Sequence, residues 1–382
     1  MTIAIDFVGV NIGSGTKTYN VNFCNELETT NLKEDIIIFV CKNYINQISF
    51  GEKKNSKIKY VLKPNFFSNI LVRLIWMQFI LPFELKLRKV KKLYSPMNFC
   101  PVFAKFFKIK VVLALHSNLP WVYFNLMPGN SFRNLITKKL MEMSIFTCET
   151  LIVDSYFARD QIANILKLHK DKIQVIYLGI DKKYLSLENS KNFLSTLDYN
   201  KKYMISVLSC VKYHNILNLL KAYKILIKEI DFEIKFVLVL QILDKKYFNI
   251  LNEFINKNFE KNKIIIMTNI DSKNLVNLYK YSQLYIFSSY CEVFGLTSLE
   301  AMSQGCPVLI SNTSALPEIN GKAADYFNPD DILEIKNKMK KNLTDINFRS
   351  NLIKIGNFHF KKFNWKNNIS KTLSAIYCNN TN

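Results

Sequence analysis

The chain has 382 residues, of which 49% are hydrophobic and 21% are charged. This length suits two domains of ordinary size, and the composition is that of a globular protein, which excludes a disordered chain. The formal net charge of +22 indicates attraction to an anionic partner, unless the abundant Lys, Asn and Ile reflect only genomic base bias. Between nucleic acid and an anionic membrane surface we favour the membrane, because the sequence has neither zinc-finger spacing nor an RNA-binding aromatic motif.

The cysteines and the first residues indicate the cellular compartment of the protein. None of the eight cysteines forms a C-x-x-C pair, so neither a zinc site nor a redox pair is indicated. Such cysteines are typical of reduced thiols in the cytosol. Residues 1–7 lack the basic region and cleavage site of a signal peptide and predict a first strand. We therefore expect a cytoplasmic protein, either free or peripheral on the inner face of the cytoplasmic membrane.

Short apolar runs alternate with helical patterns along the whole chain, which is typical of parallel βα units. Strands are predicted at 3–7, 36–41, 58–61, from 93, and at 111–115, 151–154, 173–177, 203–208, 234–240, 263–267, 284–287 and 307–310. Helices are predicted at 18–28, 157–166, 216–229, 275–281 and 296–304. Two such series predict an α/β protein with two doubly wound domains, joined near residues 178–181.

Residues 66–83 are strongly apolar, but Arg73 and Gln78 interrupt the run and Pro82 closes it. One interpretation is a buried amphipathic helix that leads to the strand at Leu93. The alternative is a helix lying on a lipid surface, with its basic end toward the headgroups. A transmembrane span is disfavoured.

The stretch most informative about function runs from 287 to 302. A strand ends at Phe287, Gly295 permits a tight turn, and a helix begins near Leu296. The amide groups of Phe294, Gly295 and Leu296 would then form a cradle for a diphosphate at the carboxyl edge of the sheet. Glu292 and Glu300 stand on either side, placed to accept hydrogen bonds from a donor sugar and from a ribose.

Together with residues 305–308 and 316–318, this string resembles the donor-site signature of retaining glycosyltransferases of family 4. The resemblance implies the GT-B fold, in which two Rossmann-like domains face a central cleft and a C-terminal helix crosses back to the first. It places an acceptor-binding domain at 1–180 with the helix 363–382, and a nucleotide-sugar-binding domain at 181–362. Val293 departs from the family, where glycine is usual.

The loop after the first strand of the second domain offers a cation for the diphosphate. Family members usually carry a basic residue, often lysine, just before the asparagine that here is Asn215, and His214 occupies that position. Many also carry an arginine earlier, which is missing here. Lys212 is the other candidate, and an ordinary solvated loop is the alternative. A histidine at this place would make activity sensitive to pH.

Three first-domain loops also match the family. Gly13 and Gly15 belong to a glycine-rich loop that is not a P-loop, since its second glycine does not adjoin the lysine, and the match implies an approach to the donor phosphate. Tyr19, at the start of the following helix, is placed on the acceptor side, as is Asn98. His116 stands where the family often has His-Asp, with Ser117 replacing the aspartate. We assign His116 a catalytic role, either binding the donor sugar's primary hydroxyl or helping to accept a proton.

The predicted activity is transfer of a hexose-type sugar from a nucleoside-diphosphate sugar to an acceptor hydroxyl, with retention of configuration and without a cofactor or metal. Glu292 and His116 are the expected catalytic residues. The acceptor is expected to be a lipid-linked or growing saccharide in bacterial surface polysaccharide assembly. Two alternatives remain open: a glycoside hydrolase that uses Glu292 and Glu300, and a basic module that binds polyanions.

Overall fold

The computed structural model describes residues 2–8, 14–45, 48, 55–185 and 202–377. Their contacts divide the chain into two compact units. Unit 1 comprises Met1–Asn118, Leu135–Gly179 and Asn364–Asn382, and unit 2 comprises Leu119–Asn134 and Ile180–Phe363. Residues 119–134 are expected in the first domain from the sequence, whereas their contacts assign them to unit 2.

Unit 1 is built on a parallel sheet with the order β3-β2-β1-β4-β5-β6-β7 among the described residues. With elements numbered in chain order, its strands are β1 Thr2–Phe7, β2 Asp35–Cys41, β3 Ile58–Lys63, β4 Lys92–Ser95, β5 Lys110–Leu115, β6 Thr150–Val153 and β7 Ile173–Val175. Its helices include α1 Ser14–Glu28, α2 Lys42–Ile45, α3 Ile70–Ile75, α4 Leu81–Leu87, α6 Ser131–Thr147 and α7 Tyr156–Leu166. The direction of strand order reverses between β1 and β4.

The last helix, α15 (Trp365–Tyr377), completes the core of unit 1. Its residues Trp365, Ile369 and Ile376 are buried with Phe23 of α1 in one apolar cluster. Gly179 makes the approach possible, because a Cβ there would lie 2.4 Å from the backbone nitrogen of Trp365. The end of the chain is thus part of the first folding unit.

Unit 2 has a second parallel sheet with the order β10-β9-β8-β11-β12-β13. Its strands are β8 Tyr203–Cys210, β9 Lys235–Ile242, β10 Ile264–Met267, β11 Leu284–Phe287, β12 Val308–Ser311 and β13 Asp325–Phe327. Its helices are α5 Leu119–Val122, α8 Ile216–Leu226, α9 Lys245–Asn258, α10 Ser272–Tyr281, α11 Leu296–Ser303, α12 Leu316–Asn320, α13 Ile332–Thr344 and α14 Ile346–His359. Strand order reverses between β8 and β11, and crevices at such reversals are where open α/β sheets bind ligands.

The predicted α/β architecture with two doubly wound sheets is confirmed. Strand β13 was not predicted, because it has only three residues and begins with an aspartate. The segment at 66–83 is neither a plain buried helix nor a span. A π-helical stretch, Trp76–Ile80, joins α3 to α4, with Arg73 buried and several apolar side chains exposed. No helix in the described ranges has the length and apolarity needed to cross a bilayer.

Candidate functional site

The turn between β11 and α11 depends on Gly295. This residue precedes the helix with φ 87° and ψ 51°, a left-handed conformation that side chains disfavour. A Cβ added at Gly295 would lie 2.4 Å from Cδ2 of Leu316 in α12. Both the backbone angle and the close contact therefore require glycine. Because the first amides of a helix have no intrahelical acceptor, the start of α11 is suited to an anion.

The loop after β8 lies directly against the loop after β11. The backbone amide of Tyr290 donates to the carbonyl of Tyr213 at 2.9 Å. The hydroxyl of Ser288 donates to the carbonyl of His214 at 2.7 Å. These bonds fix Lys212 and His214 beside the turn between β11 and α11, where strand order reverses. Lys212 is exposed, whereas His214 is buried.

His214 and Glu292 contact each other, which the sequence did not indicate. Nδ1 of His214 lies 2.7 Å from the carbonyl oxygen of Ser209, which only accepts, so Nδ1 carries a hydrogen. Nε2 lies 3.2 Å from Oε1 of Glu292. The pair thus places an imidazole and a carboxyl group side by side at the carboxyl edge of the sheet.

The backbone of Glu292 is held from the β12–α12 connection. Its backbone amide donates to the hydroxyl of Ser314 at 3.0 Å, and its carbonyl accepts from the amide of Ala315 at 3.2 Å. These two bonds fix the backbone position of Glu292. Ser314 has a left-handed φ of 56°. The Glu292 side chain is 20% exposed, so part of the carboxylate remains open to solvent beside His214.

Glu300 is buried in the first turns of α11. The hydroxyl of Tyr279 donates to its Oε2 at 3.3 Å. Burial raises the pKa of Glu300 to about 8, while the Tyr279 hydrogen bond and the charge of Lys183 oppose that rise and the charge of Asp181 adds to it. Glu300 is thus an acid whose proton is easily exchanged near neutral pH, enclosed with a tyrosine rather than displayed at the surface.

In unit 1, His116 is paired with a carboxylate that the sequence analysis did not assign to the site. Its Nδ1 lies 3.0 Å from Oδ1 and 2.9 Å from Oδ2 of Asp154, which is buried at the end of β6. Its Nε2 is buried and has no hydrogen-bond partner among the described residues. A carboxylate on Nδ1 favours the tautomer with hydrogen on that nitrogen and leaves Nε2 as a hydrogen-bond acceptor.

The side chain of Asn98 binds the backbone of His116. Its Oδ1 accepts from the His116 amide at 2.6 Å, and Asn98 itself has a left-handed φ of 63°. The side chain predicted on the acceptor side therefore holds the strand end that carries His116.

Tyr19 is a packing residue in this structure. It is buried, its hydroxyl lies 2.6 Å from that of Tyr94, and its ring packs on His116 with centroids 4.5 Å apart. This burial does not fit the expected contact with an acceptor. Gly15 lies exposed in the first turn of α1, and Gly13 lies outside the described residues.

Asp154 and Tyr279 are the site residues that sequence reasoning missed. A weak signal existed for Asp154, since an aspartate directly after an apolar strand lies at the carboxyl edge where ligands bind. No comparable signal marks Tyr279, which lies within an amphipathic helix. The described residues contain no group of three His, Cys, Asp or Glu side chains placed to hold a metal ion.

Residues 189–357 match the model of the family described as Glycosyl transferases group 1. WbdA from Escherichia coli, named a serotype-specific mannosyltransferase, is 26% identical over 263 residues, covering 68% of this chain but only 32% of WbdA. The alignment thus spans about a third of that relative. RfbU from Salmonella typhimurium, named an O-antigen chain mannosyltransferase, is 22% identical over 325 residues, covering 84% of each protein.

Among solved structures, HepE from Anabaena in complex with UDP-glucose superposes with a TM-score of 0.74 at 15% identity. The superposition covers 98% of this chain and 100% of HepE. At this identity the likeness concerns the fold, which is GT-B. The similarity to the glycosyl transferases of group 1 covers residues 189–357, which is less than half of the chain.

Proposed function

We propose that this protein transfers a hexose from a nucleoside-diphosphate sugar to an acceptor hydroxyl, with retention of configuration. The observation that carries the proposal is the start of α11 at Gly295, with the His214–Glu292 pair beside it at the reversal of strand order. A helix terminus and a cation stabilise the negative charge that develops on a departing diphosphate.

In the proposed donor complex, each acidic side chain has a separate task. The exposed part of Glu292 accepts from hydroxyls of the sugar, and Glu300 accepts from the ribose after releasing its proton. The diphosphate lies on the amides of Phe294, Gly295 and Leu296, and Lys212 adds charge from the neighbouring loop. Gly13 and Gly15 of unit 1 are proposed to approach the phosphate. His116 contacts a hydroxyl of the sugar through Nε2.

The reaction balances without a covalent intermediate on the protein. The acceptor oxygen forms a bond to the anomeric carbon on the face from which the diphosphate leaves, and the carbon–oxygen bond to the phosphate breaks. The acceptor's proton passes to an oxygen of the leaving phosphate. Protein cations and amides neutralise the leaving group, so we propose that no metal is required.

The relatives bear on the choice of substrates. Both curated relatives compared above are named mannosyltransferases, and one is named for the O-antigen chain. We therefore propose mannose as the first sugar to test. The proposed acceptor is a lipid-linked or growing saccharide of a bacterial surface polysaccharide, reached at the inner face of the cytoplasmic membrane.

The two alternatives have less support. A glycoside hydrolase needs two carboxyls that flank the same bond, whereas Glu300 and Glu292 have separate partners, Tyr279 and His214. A module that only binds polyanions would not need Glu292, and its binding would be lost with salt.

A two-stage experiment tests the proposal. Thermal shift with GDP-mannose and UDP-glucose identifies the donor, because a ligand at 100 times its Kd stabilises by about 2.7 kcal/mol. Transfer to a saccharide acceptor is then followed by release of the free nucleoside diphosphate, and NMR of the product reports the anomeric configuration. Failure of every nucleotide and nucleotide sugar to shift the melting temperature would contradict the proposal.

A further inference from the structure

The connection between β3 and β5 in unit 1 carries an unusual outer surface. Along α3, the π-helical stretch and α4, the exposed positions include Leu71, Ile75, Phe79, Phe83 and Leu87. These residues recur at every fourth position, which aligns them along one side of a helix. The stripe is about 24 Å long at 1.5 Å per residue.

The opposite side of the same helix packs into unit 1. Trp76, Met77, Leu81 and Leu85 are buried there, and so is the charged residue Arg73. The apolar side needed for folding is therefore already satisfied, and the exposed stripe is a second apolar face. Exposed apolar faces of this extent mark interaction surfaces rather than ordinary scatter.

A second segment extends the stripe. The 3-10 turn Val102–Phe107 is fixed to the helix by Gln78, whose side chain donates to Cys100 O at 3.1 Å and accepts from Val102 N at 2.8 Å. The ring of Phe103 lies 5.5 Å from that of Phe79 and 6.1 Å from that of Phe106. The apolar surface thus spans two segments, of which the sequence indicated only the first.

The positive charge around this surface indicates an anionic partner. Residues 61–110 contain ten Lys or Arg and a single acid, Glu84. Glu84 is already paired with Lys63 at 2.6 Å and Arg88 at 2.9 Å. Lys86, Lys89, Lys91, Lys105 and Lys108 are exposed on the same segments. Aromatic and aliphatic side chains surrounded by lysines match an anionic bilayer, which offers acyl chains below negative headgroups.

We propose that the surface formed by residues 71–87 and 102–107 docks unit 1 on an anionic lipid bilayer. The phenylalanines enter the boundary between headgroups and acyl chains, and the lysines contact the phosphates. The docking itself does not depend on the donor site, but it deepens the proposed function, because it brings the protein to where lipid-linked acceptors lie.

Co-sedimentation with vesicles tests this proposal on the full chain. The wild type is expected to bind vesicles of phosphatidylcholine mixed with phosphatidylglycerol, and to bind phosphatidylcholine alone weakly. Replacing Phe79, Phe83 and Phe106 together by Ser is expected to reduce partitioning about tenfold or more, because three inserted side chains are lost. These residues are 63%, 55% and 81% exposed, so folding should survive.

Matched controls distinguish docking from nonspecific hydrophobic adsorption and from loss of folding. Ile346→Ser with Phe358→Ser removes side chains that are 74% and 67% exposed in unit 2, and partitioning should not change. Changing Lys86, Lys91 and Lys105 to Gln should weaken binding to anionic vesicles and leave the weak binding to phosphatidylcholine intact. Circular dichroism and the melting temperature confirm the fold of each variant.

Two results would overturn the proposal: equal vesicle binding by the phenylalanine variant and its unit 2 control, or no wild-type binding to anionic vesicles at low salt. Light scattering that shows a dimer dissolved by the phenylalanine changes, without vesicle binding, would instead assign the surface to a second copy of the chain. Nucleotide binding in the same variants reports on the donor site, so failure of docking and failure of the proposed activity are distinguishable.

Discussion

Nε2 of His214 lies 3.2 Å from Oε1 of Glu292, and Nδ1 of the same ring lies 2.7 Å from the carbonyl of Ser209. The histidine is therefore oriented by the backbone on one side and joined to the carboxylate on the other. In the proposed donor complex, the imidazole contacts the diphosphate and Glu292 contacts the sugar.

We expect Glu292→Gln to lower the rate of transfer by about a hundredfold or more, on the scale of losing one stabilising group in a transition state. Nucleoside diphosphate binding should be nearly unchanged, because Glu292 is assigned to the sugar. Steady-state kinetics and calorimetry with GDP or UDP measure the two effects. An equal loss in both would contradict the division of roles.

His214→Ala should instead weaken binding of the free nucleoside diphosphate, which Glu292→Gln leaves nearly unchanged. The double variant completes a cycle, and the two changes should not be additive, because contacting residues are energetically coupled. Additivity of the two effects would mean that the His214–Glu292 contact has no consequence for the donor site.

The turn at Gly295 permits a test with a control at Gly305, just beyond the other end of α11. Gly295→Ala adds a methyl at φ 87° and within 2.4 Å of Leu316, so it combines backbone strain with a steric clash. Gly305→Ala adds strain at φ 71°, but its Cβ meets only Ile353, at 4.0 Å. Both variants should lose about 1 kcal/mol of stability or more from strain.

Only Gly295→Ala should also abolish the thermal shift produced by the donor, because the clash displaces the first amides of α11. Denaturant unfolding and thermal shift measure the two quantities. If Gly305→Ala were equally defective in donor binding, the effect at Gly295 would be general instability rather than loss of the phosphate-binding turn.

Most strands of both sheets could be predicted because they are apolar runs between polar segments, whereas the short strand β13 could not. Gly295 could be predicted as a turn residue for the same local reason. The contact between His214 and Glu292 could not, since it depends on the adjacency of β8 and β11, and the sequence does not state that adjacency. Asp154 escaped assignment because its partner His116 lies on a neighbouring strand.

The helix from 70 to 87 shows a different limit of sequence reasoning. Apolar residues surround it on both sides, so periodicity could not tell which side packs into the protein. The structure buries Arg73 together with Trp76 and leaves Phe79 and Phe83 outside. Tertiary packing therefore decided the orientation, and the sequence alone left both the buried and the lipid-facing interpretations open.

Glu300 should make stability depend on pH. Its pKa is about 8 in the folded protein because it is buried, and in the unfolded chain it returns to the ordinary range for Glu. Between these values the folded state keeps a proton that the unfolded state releases, so the free energy of unfolding should fall as pH rises through that window.

Glu300→Gln should remove this fall, because the amide stays neutral while still accepting from Tyr279. The difference between wild type and variant at pH 8 relative to acidic pH should be on the order of 5 kcal/mol. Urea unfolding across the pH range measures it. Glu253→Gln changes an exposed carboxyl of α9 and should leave the profile unaltered.

Asp154→Asn tests whether the carboxylate behind His116 positions a functional imidazole. The amide has nearly the same volume and can still accept from Nδ1, but it lacks the negative charge of the carboxylate. We expect kcat to fall by about tenfold to a hundredfold, the range found when a group that orients a histidine is lost. Binding of free nucleoside diphosphate to unit 2 should stay the same.

His116→Gln should cause a similar loss of kcat. The double variant should be no worse than either single variant, because both residues act through one nitrogen. If Asp154→Asn lowered only the melting temperature and left kcat intact, Asp154 would be a packing residue and His116 would lose its assigned role.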